Sequence, residues 1–381
     1  MSIALKELLR QPRRFSAVTM AMTLLIVLLV VLGGFLDGLE LSQTGAYRAH
    51  EGNVLVFDDE AELQLQRSRV ATADAEALAA LPAIDAVGSL DATFTVAGIG
   101  AGSDGSGGSG LADPVLEDIA LFGYELATVG LPEPPAAGEA IVDEQLKRVA
   151  GIEVGDVLEI GPTAEPITVS AIVDDLTTGA PTVWVGVDEW RRLVALGNPA
   201  AVPPDGTAQI LVVDPASSPE EAIAAITASP LGDASAAGPG LDPVTATGAI
   251  DALDVVQQQS STFQGIISVT FIIVLLVVAL FFALITLERV GLYAVFKALG
   301  ARTGELLLGL SAQAVAISLV AIAIGFTLSA LFVSLLPPEL PLRVEPVRLG
   351  QIAVGTVITA LLGSLFTARR ILRIDPAEAI G

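Results

Sequence analysis

The chain of 381 residues has no cysteine, one histidine, three methionines and three tyrosines. Without cysteine there is neither a disulfide framework nor a thiolate metal centre. A lone histidine cannot build a multi-histidine metal site, and an ordinary Ser-His-Asp triad would use it up. No HExxH or GxSxG motif occurs, which removes the commonest hydrolase signatures. A GxxxxGK(S/T) phosphate loop is also absent, so the chain is not expected to hydrolyse ATP by itself. Basic residues are scarce, 19 Lys and Arg against 43 Asp and Glu for a net charge of −24. Such a chain is a poor partner for nucleic acid, whose phosphates require cations to displace counterions.

What the chain has is four long apolar runs, at 15–36, 263–287, 306–336 and about 349–366. A helix rises about 1.5 Å per residue, so the first run reaches roughly 33 Å, enough to cross a hydrocarbon core of about 30 Å. It also exceeds the roughly 7–15-residue core of a cleavable signal and is read as a retained span. The runs carry mainly Ser and Thr as polar residues, which bond helices together and offer no intramembrane protease centre. Lys6, Arg10, Arg13, Arg14, Arg289, Lys297, Arg302, Arg369, Arg370 and Arg373 flank these runs on one side. The positive-inside rule makes that side cytoplasmic, with both termini inside. Between Gly38 and Thr262 stand 35 acidic and 7 basic residues, a net of −28, so all the excess acid is outside.

The expected organisation is a polytopic α-helical membrane protein with four transmembrane helices and an extracytoplasmic α+β domain between the first two. Its segments are a cytoplasmic amphipathic start (1–14), span one (15–36), the exterior domain (37–243), a stalk helix (244–262) and span two (263–287). A cytoplasmic loop (288–305), span three (306–336), an external loop (337–348), span four (349–366) and a cytoplasmic tail (367–381) complete it. Within the exterior domain, apolar runs and turn residues predict strands at 53–57, 93–96, 118–124, 140–142, 157–160, 166–173, 182–187 and 209–213. Helices are predicted at 71–81, at 144–150, from Asp188 to Ala195 with Asp188 as cap, and from Ser218. Two strand-helix units read as a pseudo-repeat, the glycine-rich stretch 100–110 as a loop tip, and 232–243 as a linker. Nothing in 244–268 predicts a break, so one helix is expected to run from the domain into span two.

The cytoplasmic loop reads ERVGLYAVFKALGARTGE, and Leu292, Val295 and Leu299 fall on one helical face. Such a face buries into lipid headgroups or into a partner protein.

The loop VGLYAVFKALGARTGELL, the tail RRILRIDPAEAIG and the exterior GEAIVDEQL…GIEVGDVLEI stand in the order found in the FtsX/MacB-type permeases of ABC transporters, which the chain resembles over nearly its whole length. In size and layout it is most similar to the small permeases of the haem-exporter and DevC type. It departs from the family pattern at Tyr293-Ala294-Val295-Phe296, where a shorter Ile-Leu-Lys run is usual. The resemblance implies a homodimer in the lipid bilayer, with no intrinsic cofactor. A separate cytoplasmic ATPase dimer would bind ATP-Mg and dock on the loop through Gly291, Leu292, Val295, Lys297, Leu299 and Gly300. It further implies export of a hydrophobic or amphipathic small molecule, with haem as the most specific cargo. For haem, Asp37, Glu40, Tyr47 and His50 at the outer end of span one are the candidate contacts. The rival reading is a non-transporting mechanotransducer that regulates cell-wall hydrolases, and lipids, peptides or antibiotics are alternative cargoes.

Overall fold

A computed structural model describes residues 12–100, 115–232, 240–288, 303–337, 340 and 342–372. Most of the amphipathic start, nearly all of the cytoplasmic loop with its six candidate coupling residues, and the end of the tail lie outside the described residues. Two compact units form: residues 1–38 with 259–381, and residues 39–258.

In chain order the elements are α1 (Pro12–Arg48), β1 (Val54–Asp58), β2 (Val70–Ala71), α2 (Thr72–Ala79), β3 (Ile84–Ile99), β4 (Val115–Tyr124) and β5 (Glu139–Asp143). There follow α3 (Glu144–Ala150), β6 (Val157–Ile160), β7 (Glu165–Val173), β8 (Thr182–Gly186) and α4 (Val187–Gly197). After β9 (Thr207–Ala208), β10 (Ile210–Pro215), α5 (Pro219–Thr227), β11 (Leu241–Thr245) and α6 (Ala246–Asp251) come three long helices, α7 (Asp254–Glu288), α8 (Thr303–Ser334) and α9 (Pro346–Leu372).

Among the described residues four helices, α1 and α7 to α9, are long and apolar enough to span a membrane. They are apolar on almost every face, as a helix bathed in lipid must be. Phe15, Val18, Met22, Ile26 and Leu29 of α1 repeat at helical spacing and are buried with Val274 and Val278 of α7, Ile317 and Ala321 of α8, and Ala360 of α9. Met20, Leu24 and Leu28 point away and are exposed. Small residues set the approach: a Cβ on Gly325 of α8 would come within 2.7 Å of Ile26.

The second unit is built around β3. Its first residues, 84–90, pair antiparallel with β10, and the strand order β11-β1-β10-β3 forms an open sheet. Its last residues pair on one edge with β4 and on the other with β6. Because β4 continues through β8, β5 and β7 to β6, those six strands close into a ring. A strand of 16 residues is long enough to serve both assemblies, and closure removes exposed edges.

Strand alternation divides the interior. Val54 and Val56 of β1, with Leu211 and Val213 of β10, meet α2 and α5 at Leu78, Ala222 and Ile226. Leu55 and Phe57 face the other way, toward Ile210, Val212, Phe122 and Trp184. Inside the ring, Ile119, Leu121, Val142, Leu158, Val169 and Val183 pack with Trp190 of α4. Strands buried on both faces need continuous apolar runs, which is how VLVF in β1 and ILVV in β10 read.

Several sequence expectations need correction. The strand at 93–96 is a fragment of the long β3. The stalk helix expected to start at Val244 begins only at Asp254. Residues 241–245, partly assigned to a linker, pair instead with the free edge of β1, and Thr245 then caps the six-residue α6. An unpaired sheet edge thus recruits a segment whose Pro243, Val244 and Thr245 are poor helix formers. Asp188 lies in the first turn of α4, whose N-cap is Gly186. The two strand-helix units are not repeats, since β5 pairs parallel with β7 whereas β10 is antiparallel to both neighbours. Arg348, expected in the external loop, belongs to the first turn of α9.

Candidate functional site

The last turns of helix α1 are built into the core of the second unit. Ala46, Tyr47 and Ala49 pack there with Leu131, Leu176 and Trp184. The loop 174–180, DDLTTGA, grips these turns. The Gly45 amide donates to the Thr177 carbonyl at 2.9 Å, the Ala46 amide to Thr178 Oγ1 at 2.7 Å, and the Gly179 amide to the Ser42 carbonyl at 2.7 Å. Arg48 closes the grip, donating to the Leu41 carbonyl at 3.0 Å and to the carbonyl of Asp175. Such contacts require close backbone approach, and Gly45 supplies it: a Cβ there would lie 2.1 Å from the Leu176 carbonyl carbon.

The loop is itself tied down. Thr177 Oγ1 donates to Asp143 Oδ2 at 2.6 Å, and Asp143 Oδ1 caps α3 by accepting the Leu146 amide at 3.0 Å. An unbroken set of hydrogen bonds therefore connects α3 to α1. Burial holds the Asp143 carboxyl above its ordinary range, and the Thr177 and Leu146 donors oppose that shift.

The four candidate ligands at the end of span one are placed differently from one another. Asp37 is nearly buried and pairs with Arg348, whose Nη2 lies 2.5 Å from Oδ1 and whose Nε lies 3.1 Å from it. Glu40 is exposed. Tyr47 is a core residue at 6% exposure and His50 is fully buried, so neither ring faces a passing ligand. His50 Nδ1 lies 2.8 Å from the Ala46 carbonyl, and the ring tilts against Trp184 with centroids 6.3 Å apart. Trp184 in turn stacks on Phe122 at 4.6 Å. Gly45, Asp143, Thr177, Thr178 and Arg348 were not singled out in the sequence. Of these only Asp143 has a local signal that could have found it, a cap-forming residue directly before the helix EQLKRVA.

Burial lowers the His50 imidazole to about 4, against the bond to Ala46. The unfolded chain takes up a proton near pH 6.5 that the folded chain refuses until about pH 4. Stability is thus complete above that window and falls as pH drops through it, by roughly 3 kcal/mol in all. Asp143 acts in the opposite direction, since the folded state holds its proton more tightly, so the measurement must be a comparison. A chain carrying His50→Gln is expected to lose that much less stability between pH 6.5 and pH 4. Tryptophan fluorescence reads it, because both tryptophans, Trp184 and Trp190, are buried in the second unit. Equal acid sensitivity of the two chains would refute the assignment.

The family model of the FtsX-like permease C-terminal region matches residues 265–376, and that of the MacB-like periplasmic core domain matches residues 16–229, more than half of the chain. The chain belongs to the MacB/FtsX-like permease family. Its α+β domain between the first membrane helix and the rest is the periplasmic core domain of that family. Among solved structures this permease is similar to the periplasmic region of MacB from Actinobacillus actinomycetemcomitans, at 10% identity and TM-score 0.34, over 52% of this chain and 91% of that one. It is also similar to the extracellular domain of the noncanonic ABC-type transporter YknZ from Gram-positive bacteria, at 11% identity and TM-score 0.28, over 43% of this chain and 84% of that one. No curated protein matches the chain.

Proposed function

We propose that this permease is the membrane subunit of an ABC exporter that moves a hydrophobic or amphipathic molecule using ATP hydrolysed by a separate cytoplasmic ATPase. Two copies of the chain form the working unit, with both termini cytoplasmic and the large domain outside. The observation that carries this reading is the anchored α1: a single helix, Pro12–Arg48, runs from an apolar span into the core of the α+β domain. A helix held by backbone hydrogen bonds is stiff, so displacement of the span is felt in the domain. The same feature serves the rival mechanotransducer equally well. Export is favoured because the family resemblance in layout is to small exporters.

Haem is the finest form of the proposal. Tyr47 and His50 are closed inside the core, so haem contacts would have to come from other residues. Reconstitution of the chain with its ATPase in nanodiscs tests both levels. A hydrophobic ligand, haem included, is expected to stimulate ATP turnover, and the complex from haem-replete cells to show a Soret band if haem is the cargo. Stimulation by no hydrophobic ligand would remove the exporter reading and leave the mechanotransducer.

The docking of the ATPase has its own test. Leu292, Val295 and Leu299 are proposed as the apolar face it grips. Replacement of one anchor by a charge, Leu299→Asp, is expected to lower ATPase recovery in a pull-down by about tenfold, with membrane insertion unchanged. Undiminished recovery would move the docking site elsewhere.

A further inference from the structure

Between residues 38 and 262 seven basic side chains stand against 35 acidic ones, and the fold uses those seven unevenly. Five are engaged within it. Arg48 and Arg69 donate to backbone carbonyls, Arg67 pairs with Glu62, Arg191 with Asp91, and Arg192 with Glu165 and Glu189. Lys147 and Arg148 of α3 are left over. Both are exposed, and neither side chain makes a hydrogen bond or an ion pair among the described residues. Arg148 acts on the buried Asp143 only through space.

The stretch that carries them displays more than positive charge. Val149 in the last turn of α3 is 41% exposed, and Val154 in the turn that follows is 61% exposed. Glu144 at the start of α3 is half-buried and Glu153 after it is exposed. Charge complementarity then selects the occupant. A free pair of cations in a segment of net −28 calls for an acidic surface. An anionic lipid surface would meet the two glutamates along with the cations and be repelled by them. A two-fold contact has no such conflict. In an isologous interface residue i of one copy meets j of the other while j meets i, so a patch with both signs beside apolar side chains satisfies itself. Without it, two copies would bring together domains that repel each other.

We propose that α3 and the turn after it form a contact between the exterior domains of two copies, with Lys147 and Arg148 of each copy against Glu144 and Glu153 of the other, and with Val149 and Val154 between them. The proposal rests on the two-copy reading and names where the two domains touch. The contact also has a connection to the first membrane helix. Asp143 caps α3 through one oxygen and holds Thr177, in the loop that grips α1, through the other. A load on the contact is thereby passed to the end of α1.

The chain has three lysines, Lys6, Lys147 and Lys297, and only Lys147 falls in the exterior segment. The test therefore uses the full-length chain in nanodiscs and a carbodiimide, which joins an amine to a carboxylate only where the two touch. A covalent dimer is expected on a denaturing gel. Lys147→Arg keeps the charge, removes the amine and is expected to abolish that dimer. Arg148→Glu is expected to lower its yield by about threefold to tenfold, as is Glu144→Gln combined with Glu153→Gln, because each change counts twice across a two-fold axis. Raising the salt from about 0.1 M to about 0.5 M, which shortens the screening length from about 10 Å to about 4 Å, is expected to act to a similar extent. Arg148 is exposed, so its variant is expected to keep the wild-type unfolding midpoint by tryptophan fluorescence. A covalent dimer that survives Lys147→Arg, or one that Arg148→Glu leaves unchanged, overturns the proposal. Binding of anionic vesicles that Arg148→Glu weakens while the dimer yield holds would assign the surface to lipid and also overturn it. Particle mass keeps the two readings apart. Two copies per disc with no covalent dimer would overturn this contact and leave the two-copy reading standing, whereas one copy per disc would refute that reading and the contact with it.

Discussion

Gly45→Ala is expected to release the end of the first membrane helix from the periplasmic domain. The added methyl would sit 2.1 Å from the carbonyl carbon and 2.2 Å from the carbonyl oxygen of Leu176, and 2.4 Å from that of Thr177. These are backbone atoms, which cannot swing aside as a side-chain end would. The loop must withdraw, and with it go the bonds from the Gly45 amide to Thr177 and from the Ala46 amide to Thr178. Overpacking of this kind costs about 3 kcal/mol, toward the upper end for core substitutions. For a domain of this size that is a fall of about 6–12 °C in the unfolding midpoint. Gly309→Ala is the control, because a Cβ there meets nothing within 4 Å. Tryptophan fluorescence during heating of the detergent-solubilised chain reads the effect. An unchanged midpoint for Gly45→Ala would mean that the loop yields freely and the helix is not gripped.

The second large effect is expected at the ion pair between Asp37 and Arg348. Arg348 lies in the first turn of α9, where the helix dipole disfavours a cation, and its stem packs on Gly33 of α1. Asp37 offsets that charge through two nitrogens of the guanidinium. The side chains are 9% and 21% exposed, so each charge is offset by the other in a place that water reaches poorly. Asp37→Ala or Arg348→Ala is expected to cost about 2–3 kcal/mol, somewhat below a fully buried pair. The double substitution is expected to restore at least about 1 kcal/mol of the summed loss, since the two opposite charges are then removed together. Fluorescence-detected size exclusion after a heat step measures all three chains. Strictly additive losses would show that the two residues act independently.

Much of this architecture was legible in the amino-acid order. Long apolar runs dictate four membrane helices because a backbone in lipid must satisfy its own hydrogen bonds. Local signals were equally direct where the chemistry is local: α3 and β6 fall where DEQLKRVA and VLEI predict them, and Ser218 caps α5. Motifs spread along the chain marked the family, and the periplasmic and permease regions each match it. Tertiary structure decided everything that depends on distant partners. The 16-residue β3 could not be read from its composition, because its two halves are stabilised by different neighbours. Residues 241–245 are a strand only because β1 has a free edge. Tyr47 and His50 look like solvated residues at a helix end until α1 is seen to continue into the core. Asp37 looks like a free carboxylate until Arg348, 311 residues away in sequence, is brought against it. Spacing along one chain fixes which face a residue occupies, but what that face meets is set by which elements pack against it.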